Sequence, residues 1–227
     1  MKTCSPNSVD FDECCFQSAR EAIPSVLKGD RRYNIPEMLP LVLPSVTLDS
    51  GPDFSLVITD LHVYGLQNIE LKNIKFDLKN KKNIGTVLFS DKFELVGLYE
   101  INGRILVIPI RGKGDLNVTT VGCTVDYSTD YVLENRDGED YISVTKGTSD
   151  ISMKKAYYRL TNLYNGNKEL GMEACASEST NRALNENWEQ VLDTLKPVIT
   201  ETVVRIANAI ANGVASQVPY KEIFKNQ

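Results

Sequence analysis

Three regimes of hydrophobic patterning follow one another along the chain. From Asp10 to Gly29 apolar residues return at helical spacing, with Phe16, Ala19, Ile23 and Leu27 on one face. Asp10 and Glu13 have the spacing of a capping box, and Gly29 suits the position just past a helix end. Pro24 lies inside this window and removes one backbone bond, which predicts a kink or an early end. The next stretch, "IPEMLPLVLPSV", carries three prolines and reads as an extended, irregular connection.

From about Val46 to Leu163 the period is two. In "IELKNIKFDLK", Ile74, Phe76 and Leu78 alternate with Asn73, Lys75, Asp77 and Lys79, the pattern of a sheet with one face in an apolar interior and one in water. Asn102-Gly103 has the composition of a type I′ turn and predicts a hairpin of Phe93–Ile101 with Arg104–Ile110. A second turn is expected at "NRDGED", between "YSTDYVLE" and "DYISVTK". Strands joined this way form an antiparallel meander, unlike a parallel nucleotide-binding sheet.

After about Thr180 the helical period returns. Trp188, Val191, Leu195, Ile199, Thr202, Ile206 and Ile210 form a stripe that Leu192, Val198 and Val203 widen. The pattern predicts one helix from Ala183 to Val214, roughly 48 Å long at 1.5 Å per residue. Pro197 should bend it without stopping it, because the stripe stays in phase beyond it. With no repeat, low-complexity tract or linker, residues 1–227 are expected to form one domain of α+β class.

Composition narrows the function. A net charge of −5 with interspersed signs lacks the basic excess that nucleic acid requires. No run approaches the ~20 apolar residues of a membrane span, so stable membrane insertion is not expected. The start, "MKTCSPNS", has no apolar core of a signal peptide; a secreted protein would have lost that peptide already. Five cysteines with no CxxC and a single histidine make a metal site improbable, and neither metal nor cofactor is expected. Cys4 and the Cys14-Cys15 pair flank a segment short enough for a disulfide loop in an oxidising compartment; the alternative is five reduced thiols. Asn117 opens an Asn-Val-Thr glycosylation sequon.

Catalytic equipment is sparse. His62 and Asp60 suggest a Ser-His-Asp hydrolase, but no GxSxG elbow accompanies them. "RGKGDLN" lacks the Walker pattern and sits among strands, so Gly112 and Gly114 are expected at a bulge or a bend. Glu139-Asp140 lies in a polar turn, where solvation outweighs any glycosidase role. The apolar supply, in contrast, is large. In the hairpin's second arm, Ile105, Val107 and Pro109 alternate with Leu106, Ile108 and Ile110, which implies cover on both faces. A long helix under a curved sheet readily leaves an elongated apolar cavity.

These residues resemble the insect takeout and juvenile-hormone-binding protein family, nearer its takeout branch, over nearly the whole chain. The resemblance is carried by "CFQSAREAIPSVLKG", "LKNIKFDLK", "GLYEINGRILVIPIRGKG", "LTNLYNGNKELG", "LNENWEQVLDTLKPVI" and "VPYKEIF", in that order. It implies a long C-terminal helix wrapped by a strongly curved antiparallel sheet, with an internal apolar tunnel. It also implies a secreted, non-enzymatic, monomeric carrier, in haemolymph or a similar fluid, for a terpenoid, fatty acid or related lipid, with an unidentified receptor. The family's N-terminal disulfide maps onto Cys4 and Cys15; Cys123 and Cys175 match no family pair. Periodicity supplies the expected tunnel lining: Ile23 and Leu27; Ile74, Phe76 and Leu78; Phe93, Leu95 and Tyr99; Trp188, Leu192, Leu195, Ile199, Val203 and Ile206. Tyr99, Tyr157 and Tyr158 are candidates for a polar contact to the ligand. The rival readings are an extracellular interaction protein with a filled core and a lipid esterase using His62.

Overall fold

The computed structural model describes residues 3–49, 54–105, 108–164 and 173–224. Helix α1 (Phe11–Lys28) comes first, followed by strands β1 (Leu41–Asp49), β2 (Phe54–Tyr64), β3 (Ile69–Asp77), β4 (Lys82–Ile105), β5 (Ile108–Arg136), β6 (Glu139–Ser152) and β7 (Lys155–Leu160). Helices α2 (Glu173–Glu186), α3 (Trp188–Ala215) and α4 (Tyr220–Ile223) complete the chain.

The long strands β4 and β5 are antiparallel and form a spine to which the shorter strands attach in two offset groups. Toward one end the order is β1-β2-β4-β5-β7, and toward the other it is β3-β4-β5-β6. The groups meet at a bulge, where Phe89 pairs with Cys123 but Lys92 pairs with Val121. Gly122, at φ 62°, absorbs the irregularity. There the buried set of β5 changes phase, from Leu116, Val118 and Thr120 to Cys123, Val125 and Thr129. This places both halves of one strand against the same interior. The sheet curls as a half-barrel over the C-terminal helix, the expected α+β architecture.

The helices cover edges that would otherwise be bare. Helix α3 runs beside the outer edge of β6, where the Val144 N–H donates to Asn212 Oδ1 at 2.8 Å and Ser149 Oγ donates to the Thr200 carbonyl at 3.1 Å. A Cβ on Gly147 would lie 2.6 Å from Val204 Cγ1, so glycine permits that approach. Helix α2 treats β7 in the same way. The Tyr158 N–H donates to Asn185 Oδ1 and Asn185 Nδ2 donates to the Tyr158 carbonyl, both at 2.8 Å. Asn181 repeats the pair on Leu160, with both bonds at 2.9 Å. One turn apart on the helix, the two amides replace a missing neighbour strand.

Several local expectations are corrected. The chain does not turn at Asn102-Gly103. Both residues lie within β4, Asn102 between Ser55 and Arg111 and Gly103 between Phe54 and Ile110. The pairing continues to Ile105 opposite Ile108, and residues 106 and 107 lie outside the described set. Longer strands keep Ile101, Ile105 and Ile110 at 3%, 3% and 1% exposure, which outweighs a local turn preference. The turn at Asp137-Gly138 forms as expected, with φ of 54° and 86° and Arg136 paired to Glu139. The proline-rich connection ends in β1, whose edge position tolerates Pro44.

Asp10 makes no side-chain cap, and α1 passes through Pro24 to Gly29 without ending. Asn187 interrupts the C-terminal helix and divides it into α2 and α3, while Pro197 does not break α3. Gly112 and Gly114 lie in regular register and mark no bulge; a Cβ there would sit 2.9 Å from the Asn162 carbonyl oxygen and 2.3 Å from that of Thr161. They admit the backbone that crosses over β5 after β7.

The disulfide joins Cys4 to Cys14, not to Cys15. Because α1 begins at Phe11, Cys14 sits in its first turn facing the N-terminal segment, while Cys15 is turned about 100° further round and enters the core. Cys15 and Cys123 are buried thiols; the side chain of Cys175 and residues 165–172 of the family-like stretch lie outside the described set.

Candidate functional site

The apolar interior divides into three clusters. The first holds Leu27 and Tyr99 with the partly buried Ile23, Phe93, Leu95, Trp188, Leu195 and Ile206 against it. The second is built on Phe89, Cys123, Val125 and Ile151, with Ile199 and Val203 against it from α3. Phe93 belongs to both, stacked on Phe89 at 5.4 Å between ring centroids. The third gathers Phe76 and Leu78 with Tyr131, Phe11 and Phe224 where the two chain ends meet. Cys4 and Phe224 form a backbone bridge beside it. Of the residues expected to line one tunnel, those of the first two clusters therefore adjoin, while Phe76 and Leu78 close a separate end. Leu192 is buried outside these clusters, and Ile74 is partly buried without joining one.

The degree of burial along α3 is the informative feature. Its buried residues are Val191, Leu192, Gly213 and Ala215, all near its ends. Between them Leu195, Ile199, Val203, Ile206 and Ile210 face the first two clusters yet remain only partly buried. Sheet residues packed against the same clusters behave alike: Val46, Ile58, Leu95 and Val87 are only partly buried. Apolar surface along the middle of the helix and on these strands is thus left partly uncovered, whereas a tightly packed core would leave almost none.

The three tyrosines fare differently. Tyr99 is 1% exposed and its hydroxyl already donates to the Thr161 carbonyl at 2.7 Å, so it has no free proton for a ligand. Burial pushes its phenol up to about 12. Tyr157 is 52% exposed, on the opposite face of β7 from the buried Tyr158, whose phenol burial also pushes up to about 12. His62 stands beside Asp60, with Nε2 and Oδ1 3.1 Å apart, and stacks on Tyr64. Asp60, at φ 51°, sits at the β2 bulge. Among the described residues no serine or cysteine joins that pair by a hydrogen bond.

Sequence reading missed the amide ladders of Asn181, Asn185 and Asn212. A signal was present: Asn181 and Asn185 are one turn apart, on a face where an amphipathic helix would otherwise carry apolar residues.

The partly buried apolar residues thus lie between a curved antiparallel sheet and one long C-terminal helix. Residues 1–225 match the family model described as "Haemolymph juvenile hormone binding protein (JHBP)", and the chain belongs to that family. It is 25% identical over 226 residues to the "Circadian clock-controlled protein daywake" of Drosophila melanogaster, covering 95% of this chain and 85% of that protein. The Drosophila yakuba protein of the same description is 26% identical over 224 residues, covering 94% and 84%. Among solved structures, Takeout 1 of Epiphyas postvittana superimposes with a TM-score of 0.83 at 26% identity, over 99% of this chain and all of that one.

Proposed function

We propose that this protein is a secreted, monomeric carrier that holds a small hydrophobic ligand, a terpenoid, fatty acid or related lipid, between α3 and the inner face of the sheet. The observation that carries the reading is the half-buried apolar stripe of α3 facing half-buried apolar strand residues. A ligand there completes the burial that the protein leaves undone. If it hides ~300 Å² of apolar area at ~25 cal/mol/Å², the gross gain is about 7 kcal/mol. Association costs lower this, and dispersion in a preformed space raises it, so micromolar to high-nanomolar affinity is expected. The family's description as hormone-binding and of haemolymph supports both the ligand class and secretion. The Cys4–Cys14 disulfide is consistent with an oxidising compartment.

Native mass spectrometry of gently purified protein should show a lipid adduct, or accept one on addition. Leu95→Trp and Ile199→Trp should weaken binding of a fluorescent fatty acid about tenfold while moving the apo melting temperature little, because each ring enters ligand space. If instead both variants lose ~1 to 3 kcal/mol of stability by overpacking, and the folded fraction binds as before, the space is core and the interaction-protein reading replaces this one.

A further inference from the structure

One row of the inner face is polar. Asn83 on β4 pairs with Thr129 on β5, which pairs with Gly147 on β6. Directly paired residues share a face, and Thr129 is only 1% exposed, so this face is the interior. Asn208 of α3 completes the row: a Cβ on Gly147 would lie 3.1 Å from both of its amide heavy atoms. With strands about 4.8 Å apart, Asn83 and Gly147 are roughly 10 Å apart, and the Asn208 amide lies beyond Gly147. This belt lies just past the second apolar cluster, since Val125 precedes Thr129 on β5 and Val203 precedes Asn208 on α3.

The belt is not self-satisfied. Among the described residues, Asn83 Oδ1 and Asn208 Oδ1 are both buried and find no hydrogen-bond partner, while Thr129 Oγ1 meets Tyr127 Oη at 3.3 Å. Buried unpaired amides are costly, and native proteins rarely keep two in one row without something that fills their need. Lys82 and Lys146 are adjacent in sequence to Asn83 and Gly147, but alternation along the strands directs them to the opposite face. Neither lysine therefore stands in the belt, and an ionised carboxylate would enter it at a high desolvation cost.

We infer that the Asn83–Thr129–Asn208 belt is the subsite for the polar end of the ligand, and that this end is a neutral hydroxyl whose apolar chain lies along Phe89, Ile199 and Val203. A hydroxyl donates and accepts at once, so it satisfies a carboxamide through either its oxygen or its nitrogen. An ether or ester end accepts only, and leaves the amide oxygens bare. The inference rests on the carrier reading and adds a ligand class to it.

The test compares 1-hexadecanol with hexadecyl methyl ether, which share the chain and differ in the donor, by displacement of N-phenyl-1-naphthylamine from the full chain. The alcohol should bind about tenfold tighter than the ether. One hydroxyl reaches only one of two amides so far apart, so that ratio should fall toward one in Asn208→Leu or in Asn83→Leu, with the ether binding at least as well as before, and a ratio unchanged in both variants overturns the inference. Equal affinities in the parent protein overturn the inference, since trapped water then serves the amides, while leaving the carrier reading intact. Displacement by neither compound, together with no lipid adduct in native mass spectrometry, overturns the carrier reading and this inference with it.

Discussion

Replacing Asn185 by alanine removes the two hydrogen bonds that hold the β7 edge to α2, and the structure sets the size of the effect. The Tyr158 N–H and carbonyl, each bonded to the Asn185 amide at 2.8 Å, lose their partners together. They cannot turn to solvent freely, because Ala156, Tyr158 and Leu160 are 1%, 9% and 8% exposed. Each unpaired buried backbone group costs about 1–3 kcal/mol. Alanine returns roughly 0.5 kcal/mol through its better helix propensity, and some water will reach the gap. The net loss should be about 2–4 kcal/mol, or about 5–15 °C in melting temperature for a chain of this size. Asn185→Asp should do no better, since a carboxylate still accepts from the N–H but faces the Tyr158 carbonyl with no proton to give. The assay is thermal unfolding joined to amide hydrogen exchange at Tyr158, which should speed up selectively. A melting temperature within about 1 °C of the parent, with Tyr158 still protected, would mean that the edge is closed without the helix and that the ladder is incidental.

Three other expectations concern the disulfide, the glycines and a buried thiol. Cys14→Ser should abolish the N-terminal disulfide and cost about 3 kcal/mol for a loop spanning a sequence separation of 10, while Cys15→Ser should leave the Cys4–Cys14 peptide intact in a non-reducing digest. Gly114→Ala places a methyl 2.3 Å from the Thr161 carbonyl oxygen and should cost at least about 2 kcal/mol, far more than Gly138→Ala, where nothing lies within 4 Å and only the left-handed φ of 86° is penalised; parallel urea melts compare them. Burial pushes the Cys123 thiol up to about 11, so between the unfolded value near about 8.5 and about 11 the unfolded chain sheds a proton that the folded chain keeps. Stability should therefore fall as pH rises through that window, and Cys123→Ala should remove its share of the slope.

The parts of the fold that were legible in the sequence are those written as a period. Alternation in Ile69–Asp77 and the stripe from Trp188 onward give a one-sided sheet and an amphipathic helix wherever they occur, because burial of one face is what selects them. What escaped depends on position to within one residue or on distant partners. Cys14 and Cys15 differ by one step of a helix, and that step decides which of them meets Cys4. Asn102-Gly103 has the composition of a turn, but only the register with β2 and β5 reveals that it lies inside a strand. The candidate site was legible as a set of apolar residues and not as a place. Periodicity names Phe76 beside Leu95, yet the topology sends Phe76 to the cluster at the chain ends. The degree of burial on which the functional reading rests has no local signature at all.

The means by which α3 is held explain how that burial is left incomplete. A helix docked by its apolar stripe settles until the stripe is packed, because each further contact gains dispersion energy. Here a different face fixes the distance. Lys196 meets Asp150 at 2.6 Å, the Thr200 carbonyl accepts from Ser149, Val204 rests on Gly147, and Asn212 accepts from Val144, so contacts spaced by four or eight residues bind one row of the helix to the edge of β6. At the other end Asn181 and Asn185 tie α2 to β7. These polar attachments have short, directional optima, and they set where the helix lies before its apolar stripe can close on the sheet. The middle of the stripe, from Leu195 to Ile210, then stays only partly buried. In the proposed carrier, such a frame keeps the apolar space from collapsing when it is empty, so binding there need not pay for opening the protein.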